Sequence, residues 1–288
     1  MRIGLVVHAG RPASREAALE ASRILEQLEV EVVATVGGGS QDIDADLAQL
    51  APLVTPAELA DDIDLAISFG GDGTFLRAAH LCRDARVPVL GVNLGRLGFL
   101  AEVEQHDLGP ALRAVAAGQY RVEERDTLTM HVHDADGEPL TSGWALNEVA
   151  VEKTARQRLL LTDVHIDGTF FARVGADALI LATATGSTAY ALSAGGPIVS
   201  PRVAATLVVP VAPHSLFDRT VVAAPEEAVR VDLLEDQAPG LASCDGREPV
   251  ELPPGSSVTV TGVGEPVRLA RVGLTDFPTL VRRKFGLR

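Results

Sequence analysis

The segment Gly70-Gly71-Asp72-Gly73-Thr74 sets one carboxylate among three glycines, between an apolar run and an apolar-periodic stretch. Glycines at such a point permit a tight turn and let backbone N–H groups approach a ligand without Cβ interference. Those groups, with the positive end of a following helix, suit phosphate oxygens. Gly70, Gly71, Gly73 and Thr74 are therefore the candidate phosphate holders. A carboxylate repels phosphate, so Asp72 suits a hydroxyl instead, as general base or orienting acceptor. Asp-Gly pairs also occur in plain surface turns; the glycine on each side and Arg77 one turn later favour chemistry. No G-x-x-x-x-G-K-[ST] occurs, which excludes a P-loop, and no clean G-x-G-x-x-G follows a strand.

A second glycine-bearing run, Gly91-Val92-Asn93-Leu94-Gly95-Arg96-Leu97-Gly98-Phe99-Leu100, follows the next apolar stretch. Adjacent strand ends in a parallel sheet open onto one crevice, so Asn93 is placed to meet the same ligand as Asp72; a sharp loop explains the glycines equally well. Asn147-Glu148 interrupts an apolar strand, where one of two successive residues must face the core and needs a buried partner or a ligand. Both residue types can bind a purine edge or a ribose hydroxyl, and an edge strand with solvated polar groups is an even alternative. From Asp177 the chain runs through an apolar strand into Thr185-Gly186-Ser187-Thr188-Ala189-Tyr190, hydroxyls and N–H groups at a helix start, with a tyrosine able to stack on a base. N-capping accounts for one of those hydroxyls. His131-x-His133 with Asp134 and Asp136 reads better as an alternating strand than as a metal cluster, and His214 and Asp245-Gly246-Arg247 say little alone.

The elements that must position these residues change character along the chain. Strands read at 3–7, at 30–36 ending in Gly37-Gly38-Gly39, at 65–69 and at 87–92. Between them Ser14 reads as the cap of a helix with Ala17, Ala18, Ala21, Ile24, Leu25 and Leu28 on one face; further helices read at 74–82 and 108–117, and 40–60 as loop and short helix. Such alternation means a mainly parallel, Rossmann-like sheet covered on both faces. After about residue 125 the pattern is β-rich, with runs at 128–132, 144–151, 159–166, 179–182, 207–211 and 229–233, a hairpin signal at Asp167-Gly168 and one helix at 187–194. The expected organisation is an α/β domain over 1–125 and a β-rich domain over 126–270, with the basic tail 271–288 returning to the first.

With 288 residues, 47% of them apolar and 22% charged, the chain can bury a core and is not disordered. No apolar stretch approaches the roughly 20 residues of a membrane span, and the first residues read as a strand and not a signal peptide. A cytoplasmic protein is expected, with Cys82 and Cys244 as reduced structural thiols. The formal charge of −14 argues against nucleic acid or an anionic membrane as partner. An anionic substrate would need local attraction from amides, a few arginines or a metal ion.

Taken together, Gly70–Thr74, Asn147-Glu148, 185–190 and Ser193-Ala194-Gly195-Gly196-Pro197 resemble bacterial NAD kinases, and Gly91–Leu100, Pro213-His214-Ser215-Leu216 and Asp245-Gly246 follow in family order. Gly-Gly-Asp-Gly-Thr is shared with lipid kinases of the diacylglycerol kinase type, and phosphofructokinases carry a close variant; the 185–190 segment is more discriminating. The resemblance implies an α/β domain plus a β-rich NAD-binding domain, assembled as homodimers or homotetramers. It implies phosphoryl transfer from ATP or polyphosphate, with a divalent ion such as Mg²⁺, to the 2′-hydroxyl of the adenosine ribose of NAD, activated by Asp72. Gly73 would lie against the dinucleotide, and Asn147 and Glu148 against adenine and ribose groups. Asp177, Thr185 and the 188–193 stretch (Thr188, Ala189, Tyr190, Ala191, Leu192, Ser193) complete the NAD contacts it implies, with Arg77, Arg158 and Arg173 as phosphate contacts and Arg247 at a subunit boundary. The chain departs from the family at Ala178 (usually Gly), Ala184 (usually Pro) and Arg247 (usually Gln). A lipid or sugar kinase sharing only the first motif, and a non-catalytic NAD(P) sensor, are the alternatives.

Overall fold

A computed structural model describes residues 1–8, 10–37, 51–95, 98–155, 157–214, 218–236, 238–273 and 275–287. Gly38-Gly39, residues 40–50 of the expected loop and short helix, Arg96-Leu97 and Ser215-Leu216 lie outside them. The chain forms two compact units, Met1–Glu124 with Val267–Arg288, and Arg125–Pro266.

The first unit opens with β1 (Arg2–His8), α1 (Pro12–Gln27), β2 (Glu31–Gly37), β3 (Leu65–Gly70), α2 (Asp72–Cys82), β4 (Val89–Asn93), β5 (Val103–Glu104), α3 (Leu108–Ala116) and β6 (Arg121–Arg125). Ser14 does not cap α1. The helix starts at Pro12, whose fixed φ suits the first helical position, and Arg11 is the N-cap residue. Ser14 is instead buried, donating to the Phe69 carbonyl at 2.6 Å and accepting the His8 N–H at 3.0 Å, so it ties the ends of β1 and β3 together. α2 begins at Asp72, two residues earlier than its apolar periodicity indicated, because Gly71 supplies the extended N-cap position.

In the second unit the order is β7 (Leu128–His133), β8 (Pro139–Ala145), β9 (Glu148–Lys153), β10 (Leu160–Ile166), β11 (Thr169–Ala176), β12 (Ala178–Thr183), a 3₁₀ turn at Gly186–Thr188, α4 (Tyr190–Ser193), β13 (Thr206–Val211), β14 (Val221–Ala223), β15 (Val229–Leu233), β16 (Gly240–Cys244), β17 (Val250–Leu252) and β18 (Ser257–Thr261). The chain then returns to the first unit with β19 (Val267–Arg271) and α5 (Phe277–Phe285). The single helix expected at 187–194 is thus a 3₁₀ turn broken at Ala189 from one short helical turn. The run 144–151 is likewise two strands.

The first sheet has the order β2-β1-β3-β4-β19-β6, with β5 beside β4, and β1, β2, β3 and β4 pair in parallel. One face buries Ile3, Leu5, Val7, Ile67, Phe69, Leu90 and Val92 against the apolar sides of α1 and α3; full burial of a side chain such as Leu5 contributes about 1.5–3 kcal/mol. The second unit packs two antiparallel sheets, β11-β10-β15-β18-β7-β8 and β14-β13-β12-β9-β16-β17, around one core. Leu179 and Leu181 face that core while Ala178, Ile180 and Ala182 face a second cluster with Ala191. Burial on both faces explains the uninterrupted apolar run of β12. The Asp167-Gly168 signal is a hairpin joining β10 and β11, with both residues at positive φ, 49° and 74°.

Candidate functional site

β3 and β4 end side by side, Gly70 opposite Asn93, at the carboxyl edge where open α/β sheets bind ligands. Gly70 must lack a side chain: a Cβ there would lie 2.2 Å from Thr74 Oγ1. At Gly71 and Gly73 a Cβ would meet nothing within 4 Å, which leaves open space on either side of Asp72. The Thr74 N–H already donates to the Gly71 carbonyl at 3.0 Å, so the amides left for a phosphate are nearer Asp72 and Gly73. Arg77 is exposed on α2.

Asp72 is held by a partner that local sequence did not reveal. Its Oδ2 accepts the Phe99 N–H at 2.9 Å, and Oδ1 accepts those of Leu100 and Ala101 at 3.1 and 3.4 Å. A carboxylate offers about four acceptor positions, two per oxygen. Among the described residues, Oδ2 keeps one acceptor position for a hydroxyl. Gly98 makes the approach possible, since a Cβ there would sit 2.1 Å from Asp72 Oδ1. Its glycine within the 91–100 run was the only signal. Asn93, 6% exposed, turns its carboxamide onto its own loop, accepting the Gly95 N–H at 3.3 Å.

In the second unit, the chain leaves one sheet at Ala145 and joins the other at Glu148, and Asp245 fixes the crossing. Its Oδ2 accepts the Leu146 N–H at 2.8 Å, and Oδ1 those of Asn147 and Glu148 at 2.7 and 3.1 Å. Burial pushes the Asp245 carboxyl up, against the pull of those amides and of Arg247. Asp245 and Gly246 both take positive φ, 52° and 64°, and Arg247 closes their turn with its N–H on the Cys244 carbonyl at 3.1 Å. The Arg247 guanidinium lies 5.7 Å from the centre of the Trp144 ring and donates to the Trp144 carbonyl, so within this chain it braces the turn.

Asn147 is 7% exposed, and its carbonyl accepts the Thr183 N–H at 2.9 Å. A Cβ on Gly186 would lie 2.0 Å from that carbonyl, so two of the motifs are packed directly together. Glu148 has one carboxylate oxygen, Oε2, buried without a hydrogen-bond partner among the described residues. Burial and, after it, the Asp245 charge push its carboxyl up to about 7, with the Tyr190 backbone N–H opposing and Glu152 adding. Such a group is suited to a ligand donor or acceptor near neutral pH.

The hydroxyls around Gly186 build the turn itself. Thr183 donates to the Leu146 carbonyl at 2.6 Å, Ser187 to that of Ala184 at 2.7 Å and Thr188 to that of Thr185 at 3.1 Å, while Arg125 donates to Thr185 Oγ1 at 3.2 Å. Ala191 is fully buried in the core, so its side chain reaches no ligand; Ala189 and Leu192 are half-buried, and Ser193 and Tyr190 are exposed. The Tyr190 hydroxyl donates to Glu152 at 3.3 Å and Asp177 pairs with Lys153. Arg173 pairs with Asp163 at 2.7 and 2.8 Å, and Arg158 is exposed. Both cysteines are free and buried, burial pushing Cys82 up to about 12 and Cys244 to about 11.

Sequence relatives decide what this arrangement is part of. The model of the ATP-NAD kinase N-terminal domain matches residues 3–120 and that of the ATP-NAD kinase C-terminal domain residues 146–272. NAD kinase 2 of Streptomyces coelicolor is 42% identical, over 98% of this chain and 93% of its own length. This chain belongs to the NAD kinase family. The NAD kinase of Mycobacterium bovis is 41% identical over 98% of this chain and 95% of its own. Among solved structures, yeast NADH kinase complexed with NADH matches with a TM-score of 0.88 at 27% identity, over 100% of this chain and 88% of that one. An Archaeoglobus fulgidus NAD kinase in complex with ATP shares the fold, with a TM-score of 0.74 at 24% identity over 100% of this chain and 98% of its own. Membership across both family domains removes the lipid- or sugar-kinase alternative that the first motif alone left open.

Proposed function

We propose that this chain is an NAD kinase that moves the terminal phosphoryl group of ATP onto the 2′-hydroxyl of the adenosine ribose of NAD, yielding NADP, with Asp72 as proton acceptor. The observation that carries the Asp72 role is its carboxylate: fixed by three amides, placed at a sheet's carboxyl edge between glycines with open space, and keeping an acceptor position on Oδ2. A secondary hydroxyl is a weak nucleophile, and in-line phosphoryl transfer depends mainly on positioning and charge stabilisation. As the ribose oxygen bonds to the γ-phosphorus, its proton passes to Asp72 Oδ2 and the bond to the ADP oxygen breaks. The amides about Asp72 and Gly73, at the positive end of α2, face the phosphate charge. Asn147 and Glu148 recognise the adenosine part, together with Asp177, Thr185, Thr188, Ala189, Tyr190, Leu192 and Ser193.

No group of three or more His, Cys, Asp or Glu side chains able to hold a metal occurs among the described residues. In this reading a divalent ion such as Mg²⁺ arrives with the nucleotide. The reading extends to a homodimer or homotetramer in the cytoplasm. Phe170 and Phe171, 55% and 42% exposed on the edge strand β11, support a contact with a second copy. Among the described residues no helix is long and apolar enough to cross a membrane.

The test is an assay with purified protein, NAD and Mg²⁺, coupled to an NADP-specific dehydrogenase, with ATP and polyphosphate side by side. NADP formation with ATP is expected. NAD binding without product after long incubation would leave a non-catalytic sensor.

A further inference from the structure

The loop that holds Asp72 is itself held by the end of the chain. Phe99, whose N–H goes to Asp72 Oδ2, lays its ring against Phe277 and Phe285 of α5, with centroids 6.4 and 6.3 Å apart and planes inclined by 44° and 43°. The Lys284 ammonium lies 5.5 Å from the centre of the same ring. One residue on, Leu100 donates its N–H to Asp72 Oδ1, and its carbonyl accepts from the Arg271 guanidinium at 3.4 Å. Arg271 is 8% exposed, and its charge is met by Glu102 at 3.0 Å and Glu123 at 3.1 Å. Glu102 also accepts the Gly273 N–H at 2.6 Å, and Arg283 of α5 pairs with Glu104.

α5 has no fully buried residue of its own. It is nonetheless well formed, with the Asp276 side chain accepting the Thr279 N–H at 2.8 Å and Gly286 ending it at a left-handed φ of 62°. A short surface helix with two aromatic rings and a cation on one ring of another loop fixes that loop more than it enlarges a core. Arg271 meets the same loop one residue further along. Both contacts lie one peptide away from the carboxylate.

We propose that α5 and Arg271 form a positioning device for phosphoryl transfer: they set the 99–101 loop, and through its amides the place of the Asp72 carboxylate. In this device Phe99, Phe285 and Arg271 act as positioning residues, through the loop and not on the reacting atoms. The inference rests on reading Asp72 as the proton acceptor. A shift of about 1 Å in a reacting group costs on the order of 10²-fold in rate.

The experiment compares full-length Phe285→Ala and Phe99→Leu with the unaltered chain for kcat, KM for NAD and Tm. Phe285 is 44% exposed, so its loss leaves the core intact. Each variant is expected to lose roughly tenfold or more in kcat with KM for NAD within about threefold, and Phe285→Tyr to restore the rate. Placed on Asp72→Asn, Phe285→Ala is expected to add no further loss, because the loop then has no carboxylate to place. Unchanged kcat in both variants, or a loss that multiplies with that of Asp72→Asn, would overturn the device. Full activity in Asp72→Asn would refute the Asp72 reading, which is a separate failure.

Discussion

Two aspartates, one in each unit, grip a chain segment with the same hydrogen-bond pattern. Asp72 takes one N–H on Oδ2 and two on Oδ1, from Phe99, Leu100 and Ala101; Asp245 takes one on Oδ2 and two on Oδ1, from Leu146, Asn147 and Glu148. Their surroundings differ. Asp72 opens an 11-residue helix beside glycines that border open space. Asp245 sits in a left-handed turn, buried enough that its carboxyl is pushed up, where it braces a strand crossing. Three amides on a carboxylate therefore do not by themselves mark a catalytic group. What sets Asp72 apart is its place at the end of a parallel strand between glycines that border open space.

The largest effect should come from the buried member of the pair. Asp245→Ala leaves the N–H groups of 146–148 unpaired, at about 1–3 kcal/mol for each that stays buried. A stability loss of roughly 3 kcal/mol or more is expected in urea denaturation, and parental stability would break the contrast. Gly98→Ala probes the other member. Its Cβ would lie 2.1 Å from Asp72 Oδ1, so the carboxylate must move. The expected outcome is a folded protein with kcat lower by on the order of 10²; unchanged kcat would show that the carboxylate's place does not matter.

The smallest effect concerns Glu148, whose folded carboxyl stands at about 7 against an ordinary 4.5. Between those values the folded chain keeps a proton that the unfolded chain has lost. Stability therefore falls as pH rises through that window, and the penalty is complete above about pH 7. Glu148→Gln removes it while keeping an acceptor for the Tyr190 N–H. The variant should exceed the parent by roughly 2 kcal/mol at pH 8, after allowance for partial exposure, and by less than about 1 at pH 5. Equal stability at both pH values would remove the buried-carboxylate account.

Features with local causes were legible in the sequence. The glycines around Asp72 announce a turn because Gly70 has no room for a Cβ, and β12 reads as one apolar run because both its faces are covered. The partners of each carboxylate were not legible. Phe99 to Ala101 lie 27 to 29 positions from Asp72, and Leu146 to Glu148 lie 97 to 99 from Asp245, so no local pattern joins them. Ser14 misled for a related reason: its hydroxyl bonds a carbonyl 55 positions away, not the helix start beside it. The edge strand β11, with Phe170 and Phe171 both exposed, lacked the alternation that reveals a half-buried strand. The hydroxyls at 183–188 were conspicuous but engaged in their own turn.

The most direct test is the rate of phosphoryl transfer in Asp72→Asn with NAD bound, measured in a single turnover with binding titrated on the same sample. The account predicts near-parental NAD affinity and Tm, with transfer slowed by about 10²–10⁴. Transfer at the parental rate in the folded, NAD-bound variant would contradict it.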